Sequence, residues 1–316
     1  MNPDSTAGPA QLAVADVHPT RLTVRGDTIA ALRAGDPADP PLLLVPGYTG
    51  SKEDFGPILG LLAAAGLFVT AIDLPGQYES PGSGDLLGYT PDALAAVVLA
   101  LAADLPGPVH LLGHSFGGLV ARAAVIADTT PFASLVLMDS GPDALQGPRR
   151  ALIEALEPVL DAGGMAGVYA ASLAAAMARP GFVAPPAALG EFLRRRFVAS
   201  DPMMLRGMGA AVRTEPDRVA ELAAVLSSAT LPSLVIFGED DDAWPTAAQT
   251  EMAHRLGADV AEVRGAAHSP AVENPRATVQ ALLGFWRQSG LSLPNGVSLH
   301  SGASLSSAPE PERGPR

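Results

Sequence analysis

A serine lies between two glycines in the stretch Gly113–Gly117, which reads GHSFG. The apolar run PVHLL before it is typical of a buried strand, and LVARAAVIA after it has the apolar spacing of a packed helix. Where a strand turns directly into a helix, flanking small residues allow close packing and lift the central side chain clear of the backbone. The pattern predicts that Ser115 is a nucleophile, and the competing interpretation is an ordinary turn of small residues.

A serine hydroxyl is a weak nucleophile near neutral pH and needs a base that removes its proton. His268 follows the last predicted strand, in the loop AAHSPAVENP, where the sheet edge would bring it over Ser115. We predict that His268 is this base; otherwise it is a loop histidine without a role. The other five histidines are less suitable: His18 and His300 lie in the tails, His110 in a strand, His114 in the serine turn and His254 in a helix.

The base in turn needs a carboxylate that fixes its tautomer and stabilises the imidazolium. The stretch GEDDDAWP follows the predicted strand LPSLVIF and offers three adjacent aspartates. We favour Asp241, three residues past Gly238. Asp240 and Asp242 stay as alternatives, because one sequence does not orient three neighbouring carboxylates. Asp139, which closes the predicted strand SLVLMD, is a fourth candidate.

Attack on a carbonyl group creates an oxyanion, which needs N–H donors already aimed at it. The backbone N–H of Phe116, at the start of the helix after the serine, is one predicted donor. A second donor is expected from the loop PGYTG after the predicted strand PLLLV, where glycines allow close approach of the backbone. We name the N–H of Tyr48.

The elements that position these residues alternate between strands and helices after an initial hairpin, which predicts an α/β fold with a mostly parallel sheet covered by helices on both faces. The alternation stops between about 141 and 230, where only helical patterns occur, and this segment is predicted to be a helical cap. Five methionines of this segment are candidates for an adaptable cavity wall, although ordinary core packing is the favoured interpretation for each of them: Met165, Met177, Met203, Met204 and Met208. We expect one domain over 19–288, with disordered tails at 1–18 and 289–316 because both are rich in Pro, Ser, Gly or Ala.

Composition excludes several classes of function. The net charge of -13 leaves no basic excess for a nucleic-acid partner or an anionic membrane. The absence of cysteine excludes disulfides and thiolate metal sites, and no metal or cofactor is expected. No signal peptide or run of roughly 18 apolar residues is evident, so we expect a cytoplasmic protein. One lysine against nineteen arginines is typical of a GC-rich bacterial genome.

Five motifs occur in a familiar order: VPGYTGSKEDF, DLPGQYESPG, GHSFGG, GEDDDAWP and AAHSPAVENP. In this order and spacing the chain, over about 20–288, resembles the α/β-hydrolase fold family, and within it bacterial fold-1 proteins with a helical cap. The resemblance implies a serine hydrolase with nucleophile Ser115, acid Asp241, base His268 and oxyanion donors Tyr48 and Phe116. It implies a structural role for Asp73. A proline replaces the common histidine before Gly47 in the oxyanion loop, without changing the backbone donor.

Hydrolysis of a carboxylic ester, lactone or thioester of a small molecule with an apolar group is the favoured interpretation. An amidase or proline-iminopeptidase-like hydrolase is an alternative; it would need an acidic cap residue for the substrate amine, such as Glu154, Glu157 or Glu191. Cofactor-free perhydrolase activity is compatible with the same triad. A non-catalytic ligand-binding protein on the same fold is the alternative from another class. The sequence leaves the oligomeric state open.

Overall fold

The computed structural model describes residues 16–179, 181–291 and 305–306. The predicted disordered tails fall mostly outside these residues, and their disorder stays a prediction. The helices and strands are, in chain order, β1 (His18–Val24), β2 (Asp27–Ala34), β3 (Pro41–Val45), α1 (Gly56–Ala64), β4 (Phe68–Ile72), α2 (Pro91–Ala103), β5 (Val109–His114), α3 (Phe116–Ala127), β6 (Phe132–Met138), α4 (Gly147–Met177), α5 (Ala187–Ala199), α6 (Pro202–Thr214), α7 (Val219–Ala229), β7 (Ser233–Gly238), α8 (Thr246–Leu256), β8 (Asp259–Val263), α9 (Pro270–Glu273), α10 (Pro275–Gln288) and β9 (Leu305–Ser306).

The strands form one sheet in the order β1-β2-β4-β3-β5-β6-β7-β8-β9. Neighbouring strands from β4 to β8 run parallel, whereas β1, β2 and the two-residue β9 pair antiparallel. All five residues of β3 and all six of β5 are buried, as expected for parallel strands covered on both faces. The predicted α/β-hydrolase fold with a mostly parallel sheet is therefore confirmed.

Side chains from each strand alternate between two apolar layers. In β3, Leu43 and Val45 face a core shared with α2, α3, α7 and α8, while Leu42 and Leu44 face a core shared with α1 and α10. This alternation follows from the two-residue period of a strand. The second core includes the fully buried Trp286 of α10. Packing on both faces holds the carboxyl ends of the parallel strands in fixed positions.

Four helices, α4 to α7, lie between β6 and β7, the region where the sequence pattern is helical throughout. Helix α7 packs against α3 and α8 and so belongs to the layer on the sheet. Helices α4, α5 and α6 pack mainly on one another and on the loops at the carboxyl edge of the sheet. We call these three the insertion helices.

Helix α4 is long and apolar enough, by length and composition, to cross a membrane, with a mean hydropathy of 1.3 over its most apolar window. The sequence analysis expected no such segment, and the difference arises because the many alanines, together with valine, leucine and methionine, raise the mean hydropathy around Asp161. The helix is not straight, since Gly164 has φ 58 and ψ -163. Arg149 at its beginning and Arg179 just after its end both bind Asp242. A straight helix of this length would separate its ends by about 46 Å, so α4 is folded back at Gly164.

Candidate active site

Ser115 lies on a sharp turn between β5 and α3. Its backbone has φ 54 and ψ -121, a conformation that non-glycine residues rarely adopt. A Cβ atom on Gly113 would meet the carbonyl oxygen of Gly117, and one on Gly117 would meet that of Val45, both well inside contact distance. The two glycines of GHSFG are therefore required by the close approach of β5, α3 and β3, and the turn directs the serine side chain out of the sheet edge.

His268 reaches Ser115 from the loop between β8 and α9. The hydroxyl of Ser115 donates to His268 Nε2 at 3.0 Å, and His268 Nδ1–H donates to Asp241 Oδ1 at 2.8 Å. The imidazole is mostly buried, with 12 % of its side chain exposed, and lies against the ring of Trp244. The structure thus brings Ser115, His268 and Asp241 into one hydrogen-bonded chain.

Asp241 is fully buried and has three donors. Its Oδ1 also accepts the N–H of Ala243 at 2.9 Å, and its Oδ2 accepts from the side-chain amide of Gln249 at 2.7 Å. Burial alone would raise the pKa of Asp241, but the hydrogen bonds from His268, Ala243 and Gln249 outweigh it and lower that pKa. Asp241 is therefore ionised at neutral pH.

The other aspartates considered for the acid lie in different surroundings. Asp242 binds Arg149 and Arg179 of the insertion, and Asp240 is exposed at the cavity rim. Asp139 is buried beside Asp241: its Oδ1 accepts the N–H of Gly238 at 2.9 Å, and burial raises its pKa well above the usual range, with the charge of Asp241 adding to the effect.

A metal ion would need at least three ligand atoms in one place. Within the described residues the only His, Asp and Glu side chains that meet this condition are Asp139, Asp241 and His268, whose ligand atoms lie within 4.8 Å of one another. Two of these atoms already share a hydrogen bond. The arrangement is that of a base and its acid.

The loop after β3 approaches Ser115 from the other side. A Cβ on Gly47 would lie 3.1 Å from the Cβ of Ser115, so only glycine allows this contact at an ordinary distance. Among the residues described, neither the N–H of Tyr48 nor that of Phe116 donates to another protein group. Both predicted donors therefore belong to segments beside the serine and have no acceptor within the described residues.

Two side chains fix the conformation of this loop. The buried amide of Gln77 donates to the carbonyl of Gly47 at 2.7 Å and accepts from the N–H of Leu74. The hydroxyl of Tyr48 donates to the carbonyl of Leu205 in α6 at 2.6 Å, and burial raises the pKa of this phenol, which stays neutral. The Tyr48 side chain thus ties the oxyanion loop to the insertion helices.

His114, beside the serine, has a role that the sequence analysis did not identify. Its Nε2 lies 2.6 Å from the carbonyl oxygen of His268. Burial, reinforced by the nearby His268, lowers the pKa of His114 to about 4, so it is neutral at pH 7 and donates its Nε2–H. His114 therefore anchors the backbone of the loop that carries the base.

A cavity of about 950 Å³ opens above Ser115 and His268. Its apolar wall comes mostly from the insertion helices, through Leu152, Ile153, Leu156, Leu160, Val168 and Leu205. None of the methionines considered for this wall lines the cavity; Met165, Met204 and Met208 are buried in packing and Met177 is exposed. The expectation of a methionine wall was wrong because those side chains face neighbouring helices or solvent.

The three glutamates considered for amine recognition differ in position. Glu157 lines the cavity but binds Arg213, whereas Glu154 and Glu191 are exposed and pair with arginines of their own helices. Within the described cavity wall, Glu157 is thus the candidate from this group, and its charge is already balanced.

Comparison with known proteins agrees with this geometry. The family described as "Alpha/beta hydrolase family" matches residues 42–281. The chain is 31% identical over 224 residues to the protein named "Putative carbamate hydrolase RutD" of Variovorax paradoxus strain S110, covering 68% of this chain and 79% of that protein.

Solved structures share the fold. A structure from a study of carboxylesterases of the thaumarchaeon Nitrososphaera gargenis superposes with a TM-score of 0.72 at 19% identity, covering 86% of this chain and 99% of the other. The enol-lactonase of Burkholderia xenovorans LB400 superposes with a TM-score of 0.69 at 20% identity, covering 85% of this chain and all of the other.

Proposed function

The chain belongs to the alpha/beta hydrolase family, and we propose that it is a serine hydrolase that cleaves a carboxylic ester, lactone or thioester through an acyl-enzyme intermediate. The observation that carries this proposal is the hydrogen-bond chain from Ser115 Oγ through His268 to Asp241, at 3.0 and 2.8 Å. A serine activated in this way attacks a carbonyl carbon.

In the first half of the reaction, Ser115 Oγ forms a bond to the substrate carbonyl carbon while its proton passes to His268 Nε2. Asp241 keeps its charge and stabilises the imidazolium through Nδ1–H. The proton then goes to the leaving alcohol or thiol as its bond to the carbonyl carbon breaks. In the second half, His268 takes a proton from a water molecule whose oxygen attacks the acyl carbon. His268 then returns that proton to Ser115 Oγ as the bond between Oγ and the acyl carbon breaks and the acid is released.

The negative charge that forms on the carbonyl oxygen is assigned to the N–H groups of Tyr48 and Phe116. Support comes from their lack of other acceptors within the described residues and from the position of Gly47 against Ser115. Loss of one such donor typically costs about 3 kcal/mol in the barrier. Gln77 contributes by holding the carbonyl of Gly47, so that the next N–H is kept in its orientation.

The acyl or alcohol part of the substrate is proposed to be apolar and of substantial size. Support comes from the leucine-rich wall and the cavity volume of about 950 Å³, which is at the upper end of the range for small-molecule sites. Arginines and carboxylates both line the cavity, so charge alone selects neither an anionic nor a cationic substrate group.

A carbamate or amide is the second candidate substrate, because the relative from V. paradoxus is named a carbamate hydrolase. The same nucleophile and base would serve, with the proton delivered to a nitrogen leaving group. A substrate with a free amine is not favoured, since Glu157 already binds Arg213.

Burst kinetics test the proposal. We expect p-nitrophenyl esters to release about one equivalent of p-nitrophenol per enzyme in a fast phase, with preference for longer acyl chains, and p-nitrophenyl carbamates or anilides to react more slowly. Ser172 also lines the cavity but does not contact His268, so Ser172→Ala is the matched control for Ser115→Ala. Equal turnover by Ser115→Ala and Ser172→Ala would overturn Ser115 as the nucleophile, and absence of turnover in folded wild type would favour a ligand-binding protein.

A further inference from the structure

Asp139 is a buried carboxyl that the reaction above does not use. It follows the last residue of β6 with φ 46, its side chain is inaccessible, and one of its oxygens accepts the N–H of Gly238. Its other oxygen, Oδ2, has no hydrogen-bond partner among the described residues. Buried polar atoms without partners are rare in native proteins, and each one needs an explanation.

The surroundings of Asp139 supply that explanation. A carboxylate oxygen of Asp139 lies within 4.8 Å of both a ring nitrogen of His268 and an oxygen of Asp241. Two buried carboxylates this close do not both ionise near neutral pH. Asp241 receives three hydrogen bonds and Asp139 one, so Asp241 holds the charge and Asp139 the proton.

Other charged groups act on Asp139 more weakly than burial and Asp241. Glu273, from α9, favours the protonated form, and Arg149, from α4, favours the ionised form. Among the neighbouring charges, the negative charge of Asp241 opposes ionisation of Asp139 most strongly. Removing it is therefore the change that would let Asp139 lose its proton.

We propose that Asp139 is a second acid for His268, held protonated behind the working pair and able to take the place of Asp241. This inference rests on the proposed function. The gap between Asp139 and the His268 ring nitrogen exceeds hydrogen-bond length by at most about 2 Å, and no hydrogen bond within the described residues holds Oδ2 in place. Asp139 is a positioning residue, because it acts on the substrate only through His268.

The proton balance is simple. When Asp241 is neutralised, Asp139 releases its proton to solvent and becomes the only buried carboxylate beside the imidazole. His268 Nδ1–H then donates to Asp139, and the proton taken from Ser115 Oγ gives an imidazolium that faces one negative charge, as in the unmodified site. No oxidant, metal or further reactant is involved.

The test compares four proteins on a short p-nitrophenyl ester between pH 5 and 9: wild type, Asp139→Asn, Asp241→Asn and the double variant. We expect Asp139→Asn to stay within about threefold of wild type and Asp241→Asn to lose about 10- to 100-fold in kcat/KM. The double variant is expected to lose at least about 10⁴-fold, the usual result of removing a triad acid. Strong non-additivity of this kind indicates that one carboxyl replaces the other.

The pH profile separates this role from a merely structural one. In Asp241→Asn the activity should rise with pH as Asp139 ionises, beyond the pH dependence that any histidine base produces, and this additional rise should be absent from the double variant. Equal kcat/KM and equal profiles for Asp241→Asn and the double variant would overturn the inference. If the melting temperature shows that Asp139→Asn is not folded, Asp139→Ser in the same background provides the comparison.

Failure of the proposed hydrolase function can be distinguished from failure of the inference about Asp139. If wild-type enzyme does not react with esters or with a fluorophosphonate, the hydrolase assignment fails independently of Asp139. The protonation of Asp139 is then measured by infrared spectroscopy, as the carbonyl band of a protonated carboxyl at neutral pH that is absent in Asp139→Asn. Absence of that band from the wild-type spectrum would contradict the inference whatever the activity.

Discussion

The carboxyl edge of the sheet and the insertion helices above it are built in different ways. At the edge, polar groups from distant parts of the chain are buried and mutually hydrogen-bonded, as in the chain Ser115–His268–Asp241. In the insertion, ion pairs are more exposed, either within one helix, as in Arg194–Glu191, or between helices, as in Glu157–Arg213, and α4 is interrupted at Gly164. The rigid edge suits chemistry that needs fixed geometry, whereas the insertion forms a wall whose shape is set by apolar side chains.

The same difference appears in the ion pairs of the two regions. Lys52, the single lysine of the chain, is 1 % exposed and binds Asp73, Glu53 and Glu79 at 2.9 Å each, which fastens the oxyanion loop to the loop after β4. Asp73 has the structural position that the family resemblance implies. Exposed pairs contribute little to stability, while breaking a buried pair leaves an uncompensated charge.

The largest expected effect is the loss of activity on substitution at the carboxyl edge of the sheet. His268→Ala and Ser115→Ala should each lower kcat about 10⁴- to 10⁶-fold, because the members of a triad act as a unit. Their melting temperatures should stay close to that of the wild type, since neither side chain carries the packing of the sheet. Steady-state kinetics and thermal unfolding of the same preparations check this, and residual activity within tenfold of wild type would contradict it.

The next expected effect is on stability, and it compares the removal of one ion pair at the carboxyl edge with the removal of one ion pair in the insertion. Lys52→Met should lower the free energy of unfolding by about 3–5 kcal/mol, because it leaves Asp73 buried without its partner. Arg194→Ala, which removes an exposed pair, should leave the free energy of unfolding unchanged within the error of the measurement. Urea denaturation measures both, and similar losses for the two variants would remove the energetic distinction between the regions.

The pH dependence of stability should report a histidine buried within the sheet, His110 in β5. Burial lowers the pKa of His110 from 6.5 to about 4. The unfolded chain therefore binds a proton that the folded protein does not bind between these values, so acidification favours unfolding. The contribution of His110 should be about 2 kcal/mol at pH 5.

His110→Gln should therefore reduce the loss of stability between pH 7 and pH 5, measured by denaturation at each pH. His254→Gln, at an exposed position of α8, is the matched control and should leave that loss unchanged. An identical pH dependence in His110→Gln and wild type would show that the histidine is not held neutral.

The insertion should control which substrates react. Leu156→Trp fills part of the cavity and should lower kcat/KM for long-chain p-nitrophenyl esters by about tenfold relative to short ones, the scale of one or two methylenes in an apolar pocket. Leu87→Trp, at an exposed site away from the cavity, should not alter chain-length preference. A uniform loss for all chain lengths would mean that Leu156 affects the triad rather than the wall.

The smallest effect concerns the attachment of α4. Asp242→Asn removes the carboxylate that binds both ends of the helix, through Arg149 and Arg179. Because these pairs are partly exposed, stability should fall by no more than about 1 kcal/mol. Hydrogen exchange of α4 amides should nevertheless become faster, while β5 amides stay protected. Equal protection of α4 in the variant and wild type would contradict this attachment.

Local patterns in the sequence predicted the strands, the hairpin and the turn at Ser115. Buried strands require runs of apolar residues and tight turns require small residues, and both signals lie within a few positions of the chain. The choice of Asp241 among three adjacent aspartates depended on its spacing from Gly238 in the sequence. In the structure Asp241 is the aspartate that binds His268. The roles of Gln77 and His114 were not predictable, since their partners lie 30 and 154 residues away. The wall of the cavity was missed for the same reason: which side chains face it depends on how α4 folds back.

Intact mass spectrometry after exposure to a fluorophosphonate tests the central claim, that Ser115 is an activated nucleophile, most directly. Wild type and Ser172→Ala should each gain the mass of one phosphonyl adduct at similar rates, and peptide mapping should place the adduct on Ser115. Ser115→Ala should gain none. A folded wild-type protein that stays unmodified, or an adduct that persists in Ser115→Ala, would contradict the account.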